Sequence, residues 1–108
     1  MSEFDLGAMM RQAQVLRQQL ETMQQSLDHE VVEGTAGNGL VKATASGTQR
    51  ILSVELSPAA MTEDREMVAD LIVTAVNNAL ERAKSLQQQR VGHLIPPGMM
   101  GPGGFPGL

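Results

Sequence analysis

Apolar residues recur at alternating intervals of three and four along the first quarter of the chain, with polar residues, mostly glutamine, between them. Because an α-helix turns once every 3.6 residues, this spacing places the apolar side chains in one stripe. The heptad stripe consists of Leu6, Met9, Ala13, Leu16, Leu20, Met23 and Leu27. The pattern predicts a first helix about 33 Å long, which a small sheet cannot cover. Part of this helix is therefore expected to project, or to pack as a coiled coil against a partner helix.

A second pattern, of period two, lies on both sides of the Gly-Thr dipeptide at residues 47–48. If these two residues form a tight hairpin loop, Ala43 pairs with Leu52 and Val41 pairs with Val54. One face of the hairpin is then apolar and needs a helix to cover it. The opposite face is mostly polar and carries Lys42, Thr44, Ser53 and Glu55.

The remaining elements follow from shorter signals. The β-branched run at residues 30–33 predicts a first strand, and the glycine-rich stretch at residues 34–39 predicts a loop. Apolar residues at helical spacing predict a second long helix, capped by Thr62 and ending near Gln89. The fold class is therefore α+β: a long helix, a three-stranded antiparallel β-meander and a second long helix. Residues 1–91 form the single predicted domain, and the Gly/Pro/Met-rich residues 92–108 a flexible tail.

Composition leaves little material for a core. The chain has 108 residues, only two aromatic residues and no cysteine. Small domains bury a low fraction of their surface, so we expect a second copy of the chain to complete the core in a homodimer. The lack of cysteine excludes disulfides and thiolate metal sites. No long apolar run is present, which predicts a cytoplasmic protein without a membrane span.

The sequence contains no convincing catalytic or cofactor-binding motif. His29 and His93 are the only histidines and have no metal-ligand spacing around them. The GTAGNG run lacks the Lys-Ser/Thr ending of a phosphate-binding loop and precedes a strand, so it indicates a turn. Acidic residues at 63–70 favour the positive end of a helix dipole. We predict a protein that is not an enzyme and binds no cofactor, metal or small-molecule substrate.

One stretch of the chain resembles a known family. The run GNGLVKATASG, followed by VELSP and DREMVADLIVTAVNNA, is similar to the signature of the YbaB/EbfC nucleoid-associated proteins, and the resemblance covers about residues 9–90. It implies a small homodimer of the cytoplasm and nucleoid that binds double-stranded DNA with little sequence preference. It also implies tweezer-like helices that project from a dimer core, with DNA contacts from the first helix and the end of the last.

Affinity for duplex DNA comes mainly from neutralised phosphates, so basic and amide side chains are the expected contacts. The predicted DNA-binding residues are Arg11, Gln14, Arg17, Gln18, Lys42, Arg50, Arg82, Lys84 and Arg90. The net charge of −4 opposes this attraction, which must therefore be local. The alternative is a non-enzymatic adaptor that binds a protein partner in recombination or replication, with weak or no DNA binding. Basic residues on one side of the molecule favour DNA, whereas interspersed acidic residues favour the adaptor.

Overall fold

The computed structural model describes residues 5–94 and confirms the α+β order of elements. Its three strands form one antiparallel sheet in the order β1-β2-β3. A single-turn 3₁₀ helix precedes the last element. The elements are α1 at Leu6–Asp28, β1 at Val31–Ala36, β2 at Val41–Ser46, β3 at Ile51–Leu56, the 3₁₀ helix at Pro58–Thr62 and α2 at Arg65–Leu94.

Two predicted boundaries of α2 were wrong. The Thr62 hydroxyl donates to the carbonyl of Ala59 at 2.8 Å, which closes the 3₁₀ turn, so Thr62 does not cap α2. The first α-helical hydrogen bond instead runs from the amide of Val68 to the carbonyl of Asp64. At its other end α2 continues past Gln89 to Leu94. The predicted tail therefore begins inside the helix, and the rest of it, residues 95–108, lies outside the described residues.

Strand β1 is longer than predicted, because it includes Gly34, Thr35 and Ala36 instead of ending before them. Gly34 belongs to the strand because α2 lies directly on it. A Cβ atom at this position would approach the carbonyl oxygen of Ala75 to 2.5 Å and would overlap the backbone nitrogen of Ala79. Glycine in a strand interior often marks such a close backbone approach. The predicted loop therefore begins only at residue 37.

The core is a contact between small residues of the sheet and small residues of α2. Val41, Ala43 and Ala45 from β2 are fully buried against Ala75 and Ala79 of the helix. Cross-strand partners share a face of the sheet, so Gly34, which pairs with Ala43, lies in the same contact. Helix α2 covers β1 and β2 but hardly reaches β3. The apolar face of β3 is consequently left open.

The predicted register of the hairpin was wrong, and Ile51, not Leu52, joins the buried apolar face by pairing with Ala45. The loop has three residues, because the amide of Ser46 donates to the carbonyl of Arg50 and Gln49 takes a positive φ of 64°. A bulge at Leu52 then adds a second shift. Val54 therefore pairs with Ala43 instead of Val41, and two single-residue shifts return it to the apolar face.

Within residues 5–94, helix α1 is anchored at its C-terminal end. Leu27 is 1% exposed and packs against the hairpin turn, where a Cβ atom on Gly47 would lie 2.6 Å from the Leu27 carbonyl oxygen. The Thr48 hydroxyl donates to Asp28 at 2.8 Å, and the amide of Gly47 donates to the carbonyl of Glu30. The other end carries the Asp5 side chain as its N-cap. Most of the heptad stripe is exposed, so the expected projection of α1 is confirmed.

Candidate nucleic-acid interface

Helix α1 displays basic and amide side chains away from its heptad stripe. Arg11, Gln14 and Gln18 are spaced by three and four residues and share one exposed face. Arg17 is about 120° from Arg11 around the helix axis, on the flank of that face. Glu21 follows Arg17 by one turn, so the surface is mixed in charge. The helix therefore offers two separated cations and several amide donors.

The second basic region lies on the C-terminal half of α2. Residues 71–94 contain three basic residues and one acidic residue, Glu81. Arg82 and Lys84 are both exposed, but they are about 160° apart around the helix axis. One α2 helix therefore directs its two exposed cations to opposite sides.

Two predicted contact residues are already engaged within the chain. Lys42 lies on the polar face of the sheet, with its Nζ 3.1 Å from Glu55 and 3.5 Å from Glu33. The hydrogen bond that Lys42 donates to Glu55, with the charge of Glu33, raises the pKa of Lys42 above its ordinary value. Arg90 donates to Glu30 at 2.7 Å and joins the end of α2 to the base of α1. Either residue would have to share its charge to bind a phosphate.

The nine predicted contact residues do not form one patch within a single chain. They divide between α1, the polar face of the sheet, the hairpin turn that carries Arg50, and the end of α2. Among residues 5–94, the basic residues without an ion pair are Arg11, Arg17, Arg50, Arg65, Arg82 and Lys84. Arg65 was missing from the sequence prediction because it lies among the acidic residues at the start of α2. No positional signal in the sequence set it apart.

An apolar surface remains uncovered beside the core. We call it the β3–α2 patch, and it consists of Leu52, Val54, Leu56, Met61, Ala69 and Ile72. Leu52 is 51% exposed and Val54 is 40% exposed, although Val54 shares the face of the sheet that α2 covers elsewhere. A hollow of about 360 Å³ opens between Leu56, Met61 and Ile72. The patch is therefore concave and continuous with the core.

Comparison with known proteins assigns the chain to a family. The model of the YbaB/EbfC DNA-binding family matches residues 1–99. The chain belongs to this family. A nucleoid-associated protein of Streptomyces avermitilis is 45% identical over 105 residues, which cover 96% of this chain and 91% of that protein. A nucleoid-associated protein of Chlorobium chlorochromatii is 44% identical over 98 residues, which cover 91% of this chain and 86% of that protein.

The YbaB/EbfC fold also appears at low sequence identity. An uncharacterized protein from Helicobacter pylori has a solved structure that superimposes with a TM-score of 0.78. The match covers 87% of this chain and 100% of that chain, at 10% sequence identity. At this identity the similarity establishes the helix–meander–helix fold alone.

The structure adds two negative findings for this YbaB/EbfC chain. Within residues 5–94, no group of three histidine, cysteine or acidic side chains is close enough to hold a metal ion. No helix in the same range is long and apolar enough to span a membrane. The family is a DNA-binding family and not a known family of enzymes.

Proposed function

We propose that this YbaB/EbfC chain is a nucleoid-associated protein that binds double-stranded DNA as a homodimer with little sequence preference. The observation that carries the proposal is the α1 arm, which is anchored at Leu27 and exposes Arg11 and Arg17 without ion pairs to residues 5–94. Because these two side chains have no ion pair to break, they can bind DNA phosphates without disrupting the fold. The curated relatives are named nucleoid-associated proteins, which supports an association with the nucleoid.

The β3–α2 patch is the surface on which we place the dimer interface. Contiguous exposed apolar surface beside an incomplete core is typical of association sites. The sheet is only three strands wide and α2 leaves β3 uncovered, so a second copy packed here would complete the core of both chains. In a symmetric dimer the same patch of both chains forms the interface, so a substitution at Val54 enters it twice.

If the β3–α2 patch is the dimer interface, a single charged substitution in it should have a large effect on dimerisation. Val54→Asp should convert the dimer to monomer, because it places a carboxylate without a partner in an apolar interface. Val54 is 40% exposed in the single chain, so the monomer should keep its helical circular dichroism. Sedimentation at micromolar concentration measures the change. The matched control is Ser53→Asp, one residue away on the polar face of the same strand, and a dimeric Val54→Asp protein would place the interface elsewhere.

DNA contact in the proposed dimer is made mainly by four cations of each chain. Arg11 and Arg17 on α1 and Arg82 and Lys84 on α2 bind phosphates, while neighbouring glutamines donate hydrogen bonds to phosphate oxygens. Two copies supply Arg82 or Lys84 from both sides of the molecule, which offsets their divergence on one helix. Lys42, Arg50 and Arg90 are secondary contacts. No base-reading arrangement accompanies these groups, in agreement with low sequence preference.

The net negative charge does not prevent this binding, because the densest group of acidic residues lies far from the α2 cations, although Glu21 and Glu81 lie one turn from Arg17 and Lys84. Glu63, Asp64, Glu66 and Asp70 cluster at the start of α2. Along the helix axis Glu66 is about 27 Å from Lys84. This exceeds the Debye length of about 8 Å at physiological salt, so the repulsion from the acidic end is largely screened at the cations.

Fluorescence anisotropy of a duplex of about 30 base pairs, titrated at several salt concentrations, tests the proposed function. Phosphate-driven binding predicts saturation at low salt and a log–log slope between about −3 and −7, from up to four cations on each of two chains. Random and fixed sequences of equal length should bind equally. A flat salt dependence would overturn phosphate contact as the mechanism, and no binding at low salt would remove DNA as the ligand.

A second candidate is favoured by a separate observation. Glu21 follows Arg17 by one turn, and Glu81 precedes Lys84 by one turn, so acidic residues do intersperse the cations. The heptad stripe of α1 is also exposed, with Leu6 and Met9 open to solvent. These features suit an adaptor that binds an amphipathic helix of a protein partner in recombination or replication. Failure of the duplex titration would favour the adaptor.

A further inference from the structure

A surface groove separates α1 from the last turns of α2. We call it the α1–α2 groove, and it has a volume of about 540 Å³. Val15, Met23 and Leu94 supply its apolar lining, and glutamine, threonine and serine side chains supply hydrogen-bonding groups along its α1 wall. A second hollow of about 420 Å³ continues towards the start of α1 and shares Val15 and Gln19 with the first. Together they form one track along the helix.

The described chain ends in the wall of this groove. Leu94 lines the groove, so the next residue of the chain starts at its edge. Residues 95–108 follow, a stretch of 14 residues with no charged side chain and no side-chain hydrogen-bonding group. The stretch contains four prolines and the apolar residues Ile95, Met99, Met100, Phe105 and Leu108. An uncharged, apolar segment of this kind is expected to bind an apolar surface and not to remain in water.

The length of this segment is sufficient to fill the track. Val15 and Leu6 are about 14 Å apart along α1. In an extended polyproline conformation 14 residues span about 43 Å, so the segment can follow the whole track with length to spare. Unlike a helix, an extended backbone makes no internal hydrogen bonds and presents its carbonyls to donors such as Gln18 and Gln19.

We propose that residues 95–108 dock in the α1–α2 groove of their own chain. Met99, Met100 and Phe105 cover the exposed apolar side chains of Val15 and Leu16. Val15 is 54% exposed without this cover. The docked segment braces α1 against α2, beyond the single ion pair between Arg90 and Glu30 that joins them at the base. This docking requires neither DNA binding nor the proposed dimer interface, although Arg11 and Gln18, two predicted DNA contacts, line the same track.

A nitroxide on the segment tests the docking directly. Because the chain has no cysteine, Gly101→Cys creates a single labelling site beside Met100 and replaces none of the apolar side chains assigned to docking. Docking predicts that amide signals of α1 around Val15 lose most of their intensity in NMR spectra, and that reducing the nitroxide restores them. Unchanged α1 signals in the labelled full-length protein would overturn the proposal.

A pair of matched variants separates docking from random collisions. Val15→Glu should abolish the signal loss, because it places a charge in the apolar track. Met10→Glu is the control, since Met10 is 60% exposed and faces about 140° away from Val15 on the same helix. Both positions are exposed, so circular dichroism should show folded protein in each case. Equal signal loss in the two variants would contradict a specific groove.

A mixed sample identifies which chain supplies the segment. Spin-labelled protein without ¹⁵N is mixed with ¹⁵N-labelled protein that carries no nitroxide. Docking within one chain predicts no loss of α1 signals in this mixture. Loss of those signals would show that the segment of a second copy occupies the groove, and would overturn the assignment to the same chain.

Discussion

Replacement of Gly34 by alanine is expected to lower the free energy of unfolding by about 3 kcal/mol or more. The added Cβ atom would lie 2.5 Å from the carbonyl oxygen of Ala75 and would overlap the backbone of Ala79. Both obstacles are backbone atoms, so no side chain can rotate to make room. The helix must move away from the sheet, and the fully buried Ala43, Ala75 and Ala79 lose their contacts. Urea denaturation followed by circular dichroism measures the effect.

Gly92 supplies the control for that experiment. It lies in the last turns of α2, and a Cβ atom there would meet nothing within 4 Å. Gly92→Ala should therefore stabilise the helix, by up to about 1 kcal/mol, through helix propensity alone. Opposite signs at the two glycines would identify the helix–sheet contact as the cause. A Gly34→Ala protein as stable as the parent would mean that α2 does not lie on β1 as closely as described.

Neutralising the arginines of α1 is expected to reduce affinity for duplex DNA on the order of a hundredfold at moderate salt. The double variant Arg11→Gln, Arg17→Gln keeps helix propensity and hydrogen-bonding capacity but removes two charges from each chain. A dimer carries each change twice, so the log–log salt slope should become shallower by up to about 4. Duplex anisotropy at several salt concentrations, with circular dichroism for folding, gives the result.

Net charge alone also reduces affinity, so the comparison needs a control of equal charge. Met67→Glu with Thr74→Glu changes the net charge by the same two units per chain, at exposed positions on the first half of α2. The control should lose little affinity and keep the parent salt slope, because neither position lies on α1 or near Arg82 and Lys84. Equal losses in both double variants would assign the effect to overall charge and not to α1.

The fold could be predicted from the sequence wherever its signals are local. The heptad stripe identified α1, and alternating polarity identified the polar face of the hairpin, where the Thr44 and Ser53 hydroxyls lie 2.6 Å apart. The register failed because the loop uses Gln49 at a positive φ, where glycine or asparagine is the usual signal. Gly34 was assigned to a loop because its strand position depends on α2, which lies about forty residues later.

The candidate site was less accessible to sequence reasoning than the fold. The sequence shows directly which residues are basic. Whether a basic side chain is free to bind DNA depends on its neighbours in space. Lys42 lies between Glu33 and Glu55 only because the three strands pair in the observed register. Arg90 and Glu30 are sixty residues apart in sequence. The exposed arm carrying Arg11, by contrast, was expected from the length of α1 alone.

The small-residue contact beneath α2 also has a mechanical consequence. Ala79 packs directly on Gly34 with no side chain between them. Helix α2 can therefore tilt about this contact, which lies near the middle of its 30 residues. The helix is about 22 Å long from Ala79 to Leu94, so a tilt of about 5° would displace Leu94 by about 2 Å. In the proposed dimer, the span between the two copies of Arg90, which lies near the end of α2, would therefore depend on packing in the core. Substitutions in the core, far from any bound phosphate, would then change that span.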